Sequence, residues 1–549
     1  MKRVVGSSVF ALFLLLLIAA GYFYFQAKRD DRGSVLMAVP SDALFLLTCH
    51  PGSGELRQLG QTDFFKSDDE NDWEYKASHV LSELDSLAAN NEKWSRIFDQ
   101  SPLYLSGHHS GNGEVGVIYY FSIHQAVVAS LDKLCFSLVK AKDAVRLRRS
   151  GQVEIHDLVT RDGRSFSWTI SQGVFMCTFT PYLLEDALRQ QAQELSSTMV
   201  TTMPDFIQES ANSLTLAVRY SFVTRFLDTQ LKSDAKRLLK PLSRFGEWTI
   251  LSLEISGQSL AFHGQTLPAD TFSFVRLFTT QRPVKWTVIR NLPVNTLSCI
   301  AWAMDDPADF IQQLNRDGVA GNPEDVRLRD HFKPWVGQEI AMVVQRQFTD
   351  SVRDQPIALF RIRNEQACRS YLRLLEGESG SREETYLGIP IRLIQRPGIL
   401  KSVFGPVFEP VNRFYYSIID GYLVVANQAS ALRGFIDAYK SGNRLVGDPR
   451  FLLAFSKIPE KGNTLFFVDL SKYERNAPGF LKDKTNDWIP QVASSAHRLG
   501  IFLFSMHQSN GIFLTQGVLE HIGENRDSTH LQQPAPSDSV QENTLPSEF

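Results

Sequence analysis

The pattern of apolar and polar residues from Arg413 to Lys440 predicts two strands, joined by a tight turn and followed by a helix. Apolar residues alternate with the others from Phe414 to Ile419, as in a strand with one buried face. Asp420-Gly421 then supplies a two-residue hairpin signal. After the return strand, apolar residues recur from Leu432 at i, i+3, i+4 and i+7, the spacing of one helix face.

The same pattern occurs earlier, from Ser165 to Gln191, and the two stretches match without a gap. The matched pairs are Phe166 and Phe414, Trp168 and Tyr416, Ile170 and Ile418, Gly173 and Gly421, Leu184 and Leu432, and Leu188 and Ile436. Two further strands correspond: Val39 to Leu46 with Leu292 to Cys299, and TLAVRY (215–220) with TLFFVD (464–469). The sequence therefore predicts a tandem duplication of a unit of roughly 240 residues.

Strands in adjacent hairpins, with helices inserted between them, indicate an α+β fold with mostly antiparallel sheets. We predict two tandem related domains of packed helices and sheets, residues 36–275 and 285–521, preceded by one N-terminal transmembrane helix. Residues 522–549 are polar, include prolines and lack an apolar period, so we expect a disordered tail.

Residues 4–25 form an apolar run long enough to cross a bilayer. Lys2 and Arg3 precede the run, and Tyr22 to Phe25 resemble an interfacial aromatic belt. A cleaved signal peptide is the alternative, but aromatic residues stand where small residues would mark cleavage. We therefore predict a single-pass signal anchor with a short cytoplasmic head at residues 1–3. The lipid bilayer is its partner through residues 4–25, and the bulk of the chain lies outside the cytoplasm, on the periplasmic side of a cell membrane.

Composition and motifs exclude several functions. A formal charge of -3 and the lack of a basic stripe disfavour nucleic acid as a partner. The five cysteines are widely separated, and no P-loop, dinucleotide or zinc-protease motif is present. Adjacent His108 and His109 in a glycine-rich stretch predict a turn with two exposed imidazoles rather than a metal pair. We expect no cofactor, no metal and no catalytic residue, so an enzyme is the less expected class.

The two halves differ in a segment from Gln395 to Pro410, which has only a short counterpart in the first half. If exposed, its apolar residues would form a docking surface for a partner such as another envelope protein. The alternative is a loop folded over its own sheet edge. The candidate partner-binding residues are Ile399, Leu400, Val403, Phe404, Val407 and Phe408.

Two charged stretches each allow two interpretations. The acidic segment from Ser67 to Glu74 lacks the residue order of a calcium loop, so a solvated connection is favoured over calcium binding. The basic run from Lys140 to Arg149 could meet anionic lipid headgroups, but its alternation with apolar residues favours the charged face of a helix end and a strand.

The apolar leader, the entry strand Val39 to Ala43, and the repeated hairpin and helix resemble uncharacterised bacterial membrane-anchored envelope proteins with a duplicated domain of unknown function. The resemblance covers most of residues 36–520 and brings no catalytic or binding residues; Asn295 stands where the entry motif has an acid. We expect a membrane-anchored envelope protein with a non-catalytic binding or scaffolding role. The alternatives are a carrier of an apolar ligand such as lipid, or a hydrolase whose site is assembled from distant residues.

Overall fold

The computed structural model describes most of the chain between residues 34 and 521. The described residues are 34–66, 75, 78–79, 81–82, 85–86, 101–111, 114–123, 145–159, 165–193, 214–232, 242–269, 273–316, 323–348, 352–377, 382–472 and 499–521. The predicted cytoplasmic head, the apolar run at residues 4–25, the acidic segment and the tail at residues 522–549 lie outside them.

The first half contributes ten described strands and four helices. The strands are β1 (Phe45–Cys49), β2 (Leu103–Ser110), β3 (Glu114–Ser122), β4 (Val145–Ser150), β5 (Val153–Val159), β6 (Ser165–Ser171), β7 (Val174–Thr178), β8 (Leu214–Arg219), β9 (Trp248–Ser256) and β10 (Ser259–Leu267). The helices are α1 (Val35–Ala38), α2 (Glu55–Gly60), α3 (Tyr182–Ala192) and α4 (Tyr220–Gln230).

The second half follows a similar plan in its described residues. Its strands are β11 (Val284–Lys285), β12 (Thr296–Ala303), β13 (Val336–Phe348), β14 (Val352–Ile362), β15 (Arg382–Tyr386), β16 (Ile389–Ile394), β17 (Phe414–Ile419), β18 (Tyr422–Ala426), β19 (Lys461–Gly462), β20 (Thr464–Asp469), β21 (Leu499–Ser509) and β22 (Ile512–His521). Its helices are α5 (Pro307–Arg316), α6 (Pro323–Asp330), α7 (Glu365–Glu376), α8 (Ile399–Phe404), α9 (Ala429–Ser441) and α10 (Pro449–Phe455).

The strand order is the same in both halves. In the first half it runs β4-β5-β6-β7-β3-β2-β1-β8-β9-β10, and every neighbouring pair is antiparallel. In the second it runs β15-β16-β17-β18-β14-β13-β12-β20-β21-β22, again antiparallel throughout. The predicted Gln172-Gly173 and Asp420-Gly421 turns both have positive φ at their two central residues, as a tight hairpin requires.

The pairing register relates individual residues of the two halves. Trp168 pairs with Cys177, and its sequence counterpart Tyr416 pairs with Val425. Both aromatic side chains are buried on the sheet face opposite the hairpin's helix, α3 in one half and α9 in the other. Trp168 and Tyr416 therefore occupy equivalent positions in the two halves.

One predicted correspondence, TLAVRY with TLFFVD, is wrong by one residue. Leu47 pairs with Leu216, and its counterpart Ile300 pairs with Phe466 rather than Leu465. The burial pattern agrees, because Ala217 and Phe467 both face the helix-covered core. A shift of one residue moves a strand's side chains to the opposite face of the sheet. The match of identical residues, Thr and Leu, therefore gives the wrong alignment, and the alternation of buried faces gives the right one.

The predicted fold class is wrong in separating the halves into two tandem domains with their own sheets. The predicted transmembrane helix at residues 4–25 lies outside the described residues. The last strands of the halves, β10 and β22, pair with each other from Ser259 with Glu520 to Thr266 with Phe513. Two sheet edges thereby satisfy each other's backbone groups, and twenty of the twenty-two described strands form one sheet. The other two, β11 and β19, pair with each other. Within the described part of the chain, no helix has the length and apolar character to cross a membrane.

Candidate functional site

A cavity of about 400 Å³ opens in the first half, where β2 ends and α3 begins. Ser110 and Gly111 come from the end of β2, Glu114 from the start of β3, and Ser165 from the start of β6. Its remaining wall is the segment from Phe179 to Tyr182, which joins β7 to α3. Residues with hydroxyl groups, one with a carboxylate and two with aromatic rings therefore line one cavity that is largely open to solvent.

The segment from Phe179 to Tyr182 is held in place by hydrogen bonds from both sides. The backbone N–H of Thr180 donates to Thr178 Oγ1 at 3.0 Å, and that hydroxyl donates to the carbonyl of Val117 at 2.7 Å. From the other side, Arg148 Nη2 donates to the carbonyl of Pro181 at 3.3 Å. The wall of the cavity is thus built before any ligand arrives, which lowers the entropic cost of binding.

Arg148 connects this wall to two carboxylates. It donates to Asp157 Oδ2 at 2.8 Å and forms an ion pair with Glu185 in the first turn of α3. Burial favours a raised pKa for Asp157, but hydrogen bonds from Arg148 and Ser167 outweigh it and keep that pKa below its ordinary value. The charge of Arg148 is therefore matched by two carboxylates behind the cavity.

The two aromatic residues of the cavity have no aromatic counterparts in the second half. Phe179 and Tyr182 are both 47% exposed. In the alignment of the two hairpins they correspond to Asn427 and Ser430. Asn427 accepts from the backbone N–H groups of Asn412 and Arg413 and donates to the carbonyl of Pro410, so it fastens the preceding chain. The fold therefore does not require aromatic side chains at these positions.

A buried chain of polar side chains runs along β2, on the face that includes Ser110. The imidazole of His108 lies 3.0 Å from Asp42 Oδ1 through Nδ1 and 2.6 Å from Ser106 Oγ through Nε2. Ser106 Oγ is also 2.9 Å from the hydroxyl of Tyr120. A carboxylate can only accept, so a neutral His108 donates to Asp42 through Nδ1 and accepts from Ser106 through Nε2.

The order carboxylate, imidazole, hydroxyl is that of a catalytic triad, but the serine is closed off. Ser106, His108 and Tyr120 are completely buried, and Asp42 has 54% of its side chain exposed. Both hydrogen bonds of the Ser106 hydroxyl are made inside the protein. In this conformation a substrate carbonyl has no room beside Ser106.

This polar chain is also specific to the first half. Phe45 corresponds to Ser298 in the entry strands, and these pair with Gly107 and Val344. Counting from that pair along the strand register, Asp42, Ser106, His108 and Tyr120 correspond to Asn295, Val343, Gln345 and Leu359. Two of the four positions are thus apolar in the other half, and the fold is built there without the chain.

The predicted turn with two exposed imidazoles is wrong, because both histidines lie in a strand and only His109 is exposed. His108 is fully buried in strand β2, whereas His109, on the opposite face, is exposed. Three of the cysteines, Cys49, Cys299 and Cys368, have thiol pKa values raised to about 12, chiefly by burial, so they are not thiolate nucleophiles. No group of residues in the described ranges could hold a metal ion.

The six candidate partner-binding residues lie over the sheet of the second half. Ile399, Leu400, Val403 and Phe404 are buried in α8, Phe408 is buried in the following 3₁₀ turn, and Val407 is half-buried beside it. Buried Arg329 donates to the carbonyls of Ser402 and Val403 and so fixes the segment. The docking role stays a prediction, and it requires the segment to leave this core.

Two other predicted features are the basic run and the apolar strand faces. On β4, Arg148 and Arg149 pair with Asp157, Glu185 and Glu154, as expected of a charged strand face; Lys140 and Lys142 lie outside the described residues. The apolar strand residues proposed to hold a lipid, such as Trp168, Phe414 and Tyr416, pack in hydrophobic clusters and do not line the cavity.

Comparison with known proteins gives one family match. A family described as "Protein of unknown function (DUF3352)" matches residues 310–503, about a third of the chain, and this range excludes the cavity. No curated protein matches the chain. A solved structure titled "Structure of crystal form III of TP0453" is 12% identical over 46% of this chain and 89% of that chain. Its TM-score of 0.23 is too low to support an argument about fold or function.

Proposed function

We propose that the protein binds or scaffolds a partner at the cell envelope, with residues 4–25 in contact with the lipid bilayer. The cavity between β2, β3 and α3 is the proposed binding site. The observation that supports it is the pair of half-exposed rings, Phe179 and Tyr182, on a wall fixed by hydrogen bonds. Pre-formed pockets that combine aromatic surface with a few polar groups are typical of ligand sites.

The second half and the sheet that joins it to the first supply the scaffold. At the joint, hydroxyl groups of Tyr220, Thr249, Thr266 and Thr515 lie in a buried row, with successive oxygens 2.6, 2.7 and 2.8 Å apart. The two halves are therefore joined by a continuous sheet and by this buried row of hydroxyl groups. We also propose that the halves are copies of one ancestral unit, which the shared strand order supports.

Site-specific photo-crosslinking in native membranes tests the binding role. A benzophenone amino acid at position 182 is expected to give a defined crosslinked product, because this side chain faces the cavity mouth. The matched control places it at Leu374, which is 62% exposed on α7, far from the cavity in sequence. No product from position 182, or the same products from both positions, would refute the proposal.

A hydrolase is the second candidate, favoured by the distances among Asp42, His108 and Ser106. It requires a second conformation in which Ser106, buried in the structure, becomes accessible to substrate. In this role Ser106 Oγ would attack an ester carbonyl and His108 Nε2 would take its proton, return it to the leaving alcohol, and then activate the water that releases the acid. A fluorophosphonate probe tests it, since labelling at Ser106 must disappear in Ser106→Ala and persist in Ser110→Ala. Folded protein that is never labelled at Ser106 removes this candidate.

A further inference from the structure

The charge and shape of the cavity indicate a chemical class of ligand. Its lining includes one charged side chain, Glu114, and the exposed surface of two aromatic rings, Phe179 and Tyr182. The faces of aromatic rings attract cations, and a carboxylate supplies the opposite charge. An alkylammonium group would therefore find both of its usual partners among these residues.

The charged residues behind the cavity also favour a positively charged ligand. Behind Pro181, the guanidinium of Arg148 is shared between Asp157 and Glu185, so two carboxylates face one cation. The remaining lining groups, from Ser110, Ser165 and Thr180, are neutral. A cationic ligand thus meets no positive side chain among the described lining residues.

The beginning of α3 is the one feature that would favour an anion, since a helix N-terminus has a partial positive charge. Here two N–H groups of the first turn are already used: Leu183 donates to the carbonyl of Thr180 at 3.0 Å, and Leu184 donates to the carbonyl of Pro181 at 3.3 Å. Glu185 adds a negative charge in the first turn. The helix end therefore offers little to a phosphate or a carboxylate.

We propose that this cavity binds an organic cation of the alkylammonium class, through the rings of Phe179 and Tyr182 and the carboxylate of Glu114. This inference rests on the proposed binding function and names its ligand chemistry. The source is either a free quaternary ammonium compound such as choline or the headgroup of a choline lipid, because both present the same trimethylammonium group.

Calorimetric titration of the full-length protein with choline and with 3,3-dimethyl-1-butanol, its uncharged isostere, tests the class. We expect choline to bind at least about fivefold more tightly than the isostere. This is the ratio of dissociation constants that corresponds to a modest cation–π interaction. Tyr182→Ala and Glu114→Gln should each weaken choline binding by a similar factor. Ser430→Ala, at the corresponding position in the second half, should leave it unchanged.

Flotation with phosphatidylcholine or phosphatidylglycerol vesicles, with and without free choline, distinguishes the two sources. If vesicles of phosphatidylcholine recover the protein, and free choline and Tyr182→Ala both reduce that recovery, the ligand is the lipid headgroup. If choline binds in the calorimeter without that effect on flotation, the ligand is a free quaternary ammonium compound. Equal binding of the isostere, saturable binding of inorganic phosphate instead of choline, or no binding of choline would overturn the inference. Crosslinking from position 182 without choline binding would refute this ligand class and leave the proposed function standing.

Discussion

The substitution Phe408→Ala tests whether the segment from Gln395 to Pro410 is part of the core or an exposed docking loop. Phe408 is 1% exposed, and its ring centroid lies 5.3 Å from those of Trp302 and Phe404 and 5.8 Å from that of Phe360. Removing a phenylalanine from such surroundings costs about 3–5 kcal/mol, because the transfer free energy is lost and the cavity relaxes only in part.

Val407, the preceding residue, provides the matched control. It is half-buried against the same cluster, so Val407→Ala is expected to cost about 1 kcal/mol. Guanidinium unfolding of the full-length protein, followed by tryptophan fluorescence, measures both variants against the parent. The expected result is a large decrease in the midpoint for Phe408→Ala and a small decrease for Val407→Ala.

The opposite outcome would show that the segment is a surface. If Phe408→Ala lowered the free energy of unfolding by less than about 1 kcal/mol, the burial of this residue would not describe the protein in solution. If it also abolished a crosslink to a partner, the docking role predicted from the sequence would be supported. Deletion of the whole segment from Gln395 to Pro410 could not make this distinction, because it would remove the core residues together.

Three further predictions concern the first half. Gly264→Ala should prevent folding or lower the thermal midpoint strongly, since an added Cβ would collide with the carbonyl oxygen of Ile250, whereas Gly257→Ala, with open space around it, should melt like the parent. His108→Ala should cost about 1–3 kcal/mol of unfolding free energy in denaturant titrations, because Ser106 loses a buried hydrogen-bond partner. Mainly through the hydrogen bond from His108, and against burial, the pKa of Asp42 lies below its ordinary value. A lowered folded-state pKa stabilises the protein above the unfolded value of about 3.9, and this contribution is lost as the pH falls through the folded value. Acid titration should therefore show a loss of stability below about pH 4 that is shallower in Asp42→Asn; identical profiles would contradict it.

The hairpin and helix could be predicted because their signals are local. The turn glycines Gly173 and Gly421 take the positive φ that the sequence called for, and apolar alternation placed Trp168 and Tyr416 on buried faces. These features depend on residues a few positions apart. The pairing of β10 with β22 could not be found this way, since nothing in either strand specifies which edge it joins.

The segment from Gln395 to Pro410 shows a different difficulty. Its apolar residues are compatible with an exposed docking surface and with a buried cover, because the composition of a segment does not show which residues it packs on. The deciding feature is the aromatic cluster of Trp302, Phe332 and Phe360, on which Phe404 and Phe408 pack. These residues are far away in the chain, so only the fold brings them together.

Comparison of the halves locates the candidate site better than any motif. At equivalent positions the first half has Tyr182 where the second has Ser430, and His108 where the second has Gln345. Because the same strand order forms with either residue, the first-half side chains are not demanded by folding. Buried polar groups are costly unless they are hydrogen-bonded, and neighbouring exposed aromatic rings can mark a binding surface. Binding in the cavity is the use that the exposed rings support, and the choline titration decides it.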